Sequence, residues 1–86
     1  MIPTSLSGPA TQLDRLTAGQ SGTVTSVLGS GAIRRRLLEM GLTPGIGVEL
    51  LRRAPLGDPI ELRVRGYLLS LRADQAALVQ LTLTAA

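Results

Sequence analysis

A strict alternation of apolar and charged residues at positions 60–65 is the feature that most constrains the fold of this chain. Successive side chains in a β-strand point to opposite faces, so the apolar residues would share one face and the charged residues the other. The apolar residues are Ile60, Leu62 and Val64, and the charged residues are Glu61, Arg63 and Arg65. Gly66 permits a tight turn into a further apolar run at 67–71. We therefore predict a hairpin with one buried face.

Three further segments have the composition of strands. Residues 22–28 are rich in Val and Thr, residues 48–53 lie between Gly and Pro residues, and residues 78–83 alternate between apolar and polar. With the hairpin, they make five predicted strands. Residues 73–76 are suited to a single helical turn.

A short helix is predicted at residues 33–40, between the first two strands. Ile33, Leu37 and Met40 follow the spacing i, i+4 and i+7, which places three apolar side chains on one helix face. Ser30 is suited to cap the first turn, because its side-chain oxygen can accept a backbone N–H. We expect the apolar face to pack against the core.

The same helix has a clear stop signal. Gly41 stands where a left-handed residue is needed, and Leu42 can fold back onto Leu37 as in a Schellman motif. Pro44 then prevents the helix from resuming.

Length and composition favour one domain with an aliphatic core. The chain has 86 residues, 44% of them hydrophobic, but Tyr67 is its only aromatic residue. We predict a mainly β fold: a small SH3-like barrel of about five antiparallel strands with one short α-helix between the first two strands. The predicted core is Val24, Val27, Ile33, Leu37, Val48, Leu50, Ile60, Leu62, Val64, Leu69, Leu71, Val79 and Leu81.

The sequence contains few residues suited to catalysis or to metal binding. The chain contains no cysteine and no histidine, which removes thiolates and the commonest general base and metal ligand. Its six carboxylates are scattered over loops and strand surfaces, and no two of them form a pair on a predicted helix. We predict a protein that is not an enzyme, with no catalytic residues, no cofactor and no metal site.

The two ends of the chain are predicted to differ in order. Residues 1–11 contain Pro3 and Pro9 and are predicted to form a flexible N-terminal arm, while residues 12–86 form a single domain. No apolar run reaches the roughly 20 residues that span a bilayer, and the N-terminus lacks the pattern of a signal peptide. We expect a cytoplasmic protein.

The positive charge is unevenly distributed. The net charge is +3 and all nine cations are arginine, with a contiguous run at 34–36 and a pair at 52–53. Arginines in the first turn of a helix oppose its macrodipole, which favours a role in docking, although a solvated basic face is the alternative. The predicted partner-binding residues are Arg34, Arg35, Leu38, Glu39, Arg52 and Arg53.

Two ordered motifs point to a known family. They are Arg-Arg-Leu-Leu-Glu-Met-Gly-Leu-Thr-Pro-Gly at 35–45 and Ala-Pro-Leu-Gly-Asp-Pro-Ile-Glu-Leu-Arg-Val-Arg-Gly at 54–66. The chain closely resembles the FeoA family, small cytoplasmic accessory proteins of bacterial ferrous iron uptake, over residues 13–83. The resemblance implies an SH3-like fold and, as partner, the membrane permease FeoB with its GTP-binding domain. It implies docking at the cytoplasmic face of the inner membrane and supplies no catalytic set.

Two alternatives remain open at this stage. One is a small RNA- or ribosome-associated basic barrel, and the other is a stand-alone relative of the SH3-like domain of iron-dependent repressors. A single tyrosine offers too few stacking platforms for single-stranded nucleic acid, so we expect no nucleic-acid partner. An exposed edge carrying Leu68 or Leu78 could support a homo-oligomer.

Overall fold

Six strands and two helices make up the part of the chain that the structure, a computed structural model, describes, namely residues 7–84. The strands are β1 (Ser7–Gln12), β2 (Ser21–Val27), β3 (Gly47–Arg53), β4 (Ile60–Val64), β5 (Tyr67–Leu71) and β6 (Val79–Thr84). The helices are α1 (Gly31–Glu39) and α2 (Ala73–Ala76), and a 3₁₀ turn covers Leu13–Arg15.

All six strands belong to one antiparallel sheet in the order β1-β6-β2-β3-β4-β5. The mainly β architecture is confirmed, and each of the five predicted strands is present to within one residue at either end. The sheet has six strands instead of five, however, because β1 precedes those predicted. As a consequence, α1 lies between the second and third strands.

β1 occupies much of the segment predicted to be a flexible arm. It pairs with β6 in an antiparallel register. The paired residues are Ala10 with Thr82, Thr11 with Leu81, and Gln12 with Gln80. The arm predicted for residues 1–11 is therefore wrong for residues 7–11. Their side chains are mostly small or polar and show no strand pattern, so the pairing depends on the backbone. Residues 1–6 lie outside the described part.

The hairpin predicted at 60–71 is confirmed. Val64 pairs with Tyr67, so only Arg65 and Gly66 form the connection. Both have positive φ angles, 50° and 84°, as in the two-residue type I′ turn that matches the twist of paired strands.

The core of the described chain consists only of aliphatic side chains, and no polar or charged residue is buried in it. Its members are Leu13, Leu16, Val24, Val27, Leu37, Leu42, Ile46, Val48, Leu50, Ile60, Leu62, Val64, Leu71, Ala76, Val79 and Leu81.

Two residues predicted to lie in the core, Ile33 and Leu69, are not buried. Ile33 is 51% exposed, because α1 contacts the core through its second turn, where Leu37 is buried, and not through its first. Leu69 is half-buried, because β5 is an end strand and nothing in residues 7–84 pairs with its outer side.

The sequence predicts the C-terminal end of α1 correctly and the N-terminal end only in part. Its stop is confirmed: Gly41 has a φ of +100° and donates to the Leu38 carbonyl oxygen at 3.0 Å, and Leu42 donates to that of Leu37 at 3.2 Å. These two bonds form a Schellman motif. At the start, Ser30 occupies the N-cap position, but its side chain makes no capping hydrogen bond, so that part of the prediction is wrong.

Tyr67, the only aromatic residue, ties the end of α1 to the sheet. Its hydroxyl donates to the carbonyl oxygen of Met40 and lies directly over Gly41. A Cβ atom at Gly41 would overlap this hydroxyl. The absence of a side chain at this position therefore serves both the positive φ and the close approach of the ring.

We expect Leu62→Ala to lower the free energy of unfolding by about 2–5 kcal/mol, because it removes a fully buried side chain and leaves a cavity. Leu56→Ala is the matched control, since Leu56 is 96% exposed, and should change stability by less than about 0.5 kcal/mol. Urea unfolding followed by circular dichroism measures both. Equal losses for the two variants would contradict the assigned core.

Gly41→Ala should destabilise the protein more than Gly45→Ala. Both positions have positive φ, at a strain of about 1–2 kcal/mol for a residue with a Cβ, but the new Cβ at Gly45 meets nothing within 4 Å. At Gly41 it also displaces the Tyr67 hydroxyl. Unfolding of both variants, repeated in a Tyr67→Phe background, should show the difference shrinking once the hydroxyl is gone. A difference unaffected by Tyr67→Phe would refute this contact.

Candidate partner-binding surface

The outward face of α1 carries charged residues. Successive residues of an α-helix are rotated by about 100°, so with Leu37 buried, Arg35 and Glu39 fall on the opposite side and Arg36 falls on one flank. All three are exposed, as is Ile33 in the first turn. We call Ile33, Arg35, Arg36 and Glu39 the α1 surface.

Arg34 is held by the fold. Its Nε donates to the carbonyl oxygen of Val27 at 3.1 Å, and this bond is partly buried. Val27 is the last residue of β2, so Arg34 fastens the first turn of α1 to the strand that precedes it. Arg34, predicted to face a partner, is exposed, and its guanidinium is bound to the sheet through Nε.

Leu38 was predicted to be the apolar contact for a partner, but it is half-buried and packs against the core. The exposed apolar side chain of the helix is Ile33 instead. Ile33 is exposed and Leu38 half-buried because only the C-terminal half of α1 packs against the core.

The predicted pair at the end of β3 also has partners. Arg52 forms an exposed ion pair with Glu61, with Nε and Oε1 3.3 Å apart. The guanidinium of Arg53 donates to the carbonyl oxygens of Asp14 and of Leu16, the latter at 2.8 Å. Arg53 therefore joins β3 to the segment around the 3₁₀ turn and is half-buried there.

The structure does not bring the six predicted residues onto one surface. Arg52 and Arg53 pair with Glu61 and Ile60, at one end of the β3–β4 ladder. The C-terminal end of α1 is held by Tyr67, which adjoins the turn at the opposite end of β4. The predicted set therefore divides into a helix part and a strand part.

The two arginines of the α1 surface, Arg35 and Arg36, form no ion pair within residues 7–84. The ion pairs there join Arg52 to Glu61, Arg63 to Glu49 and Arg72 to Asp58. Arg35 and Arg36 are in none of them, and the first turn of α1 holds no acidic residue. The guanidinium of Arg36, in no ion pair within residues 7–84, lies one turn after the exposed Ile33, an arrangement suited to a partner that offers a carboxylate next to an apolar group.

The described residues contain no group of three or more potential ligands that could hold a metal ion. In the same part of the chain, no helix is long and apolar enough to cross a membrane.

Fold and surface together define a small SH3-like β protein with a basic helix. A family model described as "FeoA domain" matches residues 11–83. The chain belongs to the FeoA family, whose members act in ferrous iron transport.

One curated relative joins this domain to a second protein. It is the Fe(2+) transport protein A/Fe(2+) transporter FeoB fusion protein of Porphyromonas gingivalis, 36% identical over 72 residues. The match covers 84% of this chain and only 8% of the relative, so this chain spans a small part of that protein's length.

Solved structures of FeoA proteins have the same fold. The solution structure of FeoA from Chlorobium tepidum is 43% identical, with a TM-score of 0.79, and the match covers 86% of this chain and 70% of that one. The crystal structure of Stenotrophomonas maltophilia FeoA with zinc is 31% identical, with a TM-score of 0.72 over 81% and 87% of the two chains. That protein is described as an SH3 domain protein, which confirms the fold predicted here.

We expect Arg53→Ala to destabilise the protein by about 1–3 kcal/mol, because it leaves two carbonyl oxygens without their charged donor. Arg52→Ala, its sequence neighbour, removes only an exposed ion pair and should change stability by less than about 1 kcal/mol. Urea unfolding distinguishes the two variants. If Arg52→Ala proved the more damaging, Arg53 would not have the structural role assigned to it.

Proposed function

We propose that this protein is a non-catalytic accessory factor of ferrous iron uptake that docks onto a FeoB-type permease at the cytoplasmic face of the membrane. The observation that carries the proposal is the relative in which FeoA and FeoB are parts of one polypeptide. When two proteins are linked in one polypeptide, each is held at a high effective concentration near the other, which favours binding between them. A separate chain of the same family then needs a binding surface for the same partner.

The α1 surface is the site that we propose for this contact. Arginine is favoured in interfaces because its planar guanidinium pairs with carboxylates and also packs against apolar groups. Arg36 lies three residues after Ile33, so the two side chains are neighbours on the helix. Arg35 is also exposed, on the side of the helix that faces away from Leu37. An acidic patch with an apolar centre on the permease is the complement of this arrangement.

This proposal narrows the set predicted from the sequence. Arg35 and Glu39 remain, and Ile33 replaces Leu38 as the apolar contact. Arg34 and Arg53 hydrogen-bond to backbone carbonyls of this chain, which supports a structural role for each. Arg52 lies with Glu61 on the strand part, outside the proposed site.

Ile33→Gln and Arg35→Glu should each weaken binding to the permease about tenfold or more and reduce ferrous iron uptake, while the fold remains intact. Both side chains are exposed and make no hydrogen bond or ion pair within residues 7–84, so neither change disturbs a described contact. Pull-down with the full-length permease of the same organism and uptake in cells that lack the native protein measure the two effects.

Arg15→Glu is the matched control, since Arg15 is exposed on the 3₁₀ turn and the change in charge is the same. It should bind and support uptake like the wild type. Equal losses for Arg15→Glu and Arg35→Glu would indicate a general effect of net charge. Normal binding by both α1 variants, with circular dichroism showing them folded, would exclude this surface.

A further inference from the structure

The outer edge of β5 is the least protected part of the sheet. β5 ends the strand order, and no strand within residues 7–84 pairs with its outer side. Its sequence, Tyr-Leu-Leu-Ser-Leu, has neither charge nor proline, and Leu68 is 69% exposed. Natural proteins usually guard such edges with charged residues or proline, and the opposite edge strand, β1, does contain Pro9.

We propose that this edge pairs with β5 of a second copy of the chain, antiparallel and about a two-fold axis at Leu69. The pairing is independent of the proposed function, because it involves the strand edge and not the α1 surface. Three features of the edge support a second copy as the occupant: the direction of its backbone groups, its side chains, and the charges at its two ends.

The backbone groups have the right direction for this register. In a two-residue hairpin the closing pair, here Val64 and Tyr67, is hydrogen-bonded, and such pairs alternate along the ladder. Leu68 and Ser70 then direct their N–H and C=O groups away from β4. A two-fold axis at Leu69 places Leu68 of each copy opposite Ser70 of the other copy. The outward N–H and C=O groups of both residues are then hydrogen-bonded across the interface.

The side chains are complementary in the same register. Leu69, half-buried because it lies at the edge, would meet Leu69 of the second copy and complete its burial. On the other face, Leu68 of the second copy would lie next to Ser70. Ser70 borders a shallow pocket of about 190 Å³, and Leu51, Glu61, Leu68 and Leu69 form the rest of its lining. An aliphatic side chain fits such a pocket.

The charges at the two ends of β5 favour a copy of the same strand. Arg65 precedes the strand and is in no ion pair within the described chain, while Asp74 follows it in the first turn of α2. With the axis at Leu69, the last strand pair is Tyr67 of each copy with Leu71 of the other. The turn that holds Arg65 in one copy is thereby brought to the end of β5 in the other copy, where α2 begins with Ala73 and Asp74. Arg72, which lies nearby, is already paired with Asp58. Residues of opposite charge therefore lie near each other at both ends of the interface, since two-fold symmetry repeats the arrangement.

An interface of one short strand is small. Stable specific complexes bury about 1,200 Å² or more, and a contact between two five-residue edges falls below this. The dimer should therefore be reversible, with a dissociation constant in the micromolar range or weaker. It should also stop at two copies, since the pairing uses the β5 edge of each chain.

Cysteine cross-linking tests the register directly, because the chain has no cysteine of its own. Leu69→Cys would place two Cα atoms about 4.5 Å apart across the axis, within the range that a disulfide bridges. Ser70→Cys is the control: it is more exposed, but its two Cα atoms would be about 8–9 Å apart. In a glutathione buffer, Leu69→Cys should form disulfide dimers about tenfold faster than Ser70→Cys. Equal rates, or faster reaction of the more exposed Ser70→Cys, would overturn the proposal.

Sedimentation of the cysteine-free protein provides a second measurement, from about 10 μM to about 1 mM. The wild type should shift from monomer towards dimer. Leu68→Lys should remain monomeric, whereas Thr23→Lys, with the same new charge at an exposed position of the interior strand β2, should behave like the wild type. A wild type that stays monomeric, assembly beyond dimers, or unchanged dimerisation of Leu68→Lys would overturn the proposal. So would a monomeric wild type in which Leu68→Lys impairs only permease binding, since the occupant would then be a strand of the permease.

Discussion

The packing of aliphatic side chains from the strands, joined by Leu37 of α1, is the interaction on which the rest of the structure depends. Within residues 7–84 the core contains no aromatic ring and no buried polar residue. Hydrophobic burial is strong but has no direction, so it holds the elements together without defining how they are oriented. Orientation must then come from hydrogen bonds around the core, which have a defined geometry.

Three long side chains provide such bonds, and each donates to a backbone carbonyl oxygen. Arg34 donates to the carbonyl oxygen of Val27, and Tyr67 donates to the carbonyl oxygen of Met40. Arg53 donates to the carbonyl oxygens of Asp14 and Leu16. These bonds link α1, β3 and β5 to other segments of the chain. Carbonyl groups at the ends of elements need such partners. Part of the basic character of this protein therefore serves the fold.

The two surfaces that remain differ in physical character. The α1 surface offers unpaired guanidinium groups, whose attraction for an acidic partner is screened by salt. The β5 edge offers backbone hydrogen-bonding groups and leucine side chains, and binding through these groups is less sensitive to salt than binding through the guanidinium groups. Tyr67 lies between them, since it begins β5 and its hydroxyl holds the end of α1. One small domain can thus present a side-chain surface and a backbone edge separately.

Local patterns in the sequence by themselves determined five of the six strands, the hairpin at 60–71, the Gly41 stop and most of the core, because periodicity and turn chemistry act over a few residues. Motif order also indicated the family. Only the tertiary structure decided that residues 7–11 form a strand, that Ile33 is exposed, and which arginines are engaged. The physical reason is distance along the chain: the guanidinium of Arg53 binds a carbonyl oxygen 39 residues earlier, and no local pattern records such a contact.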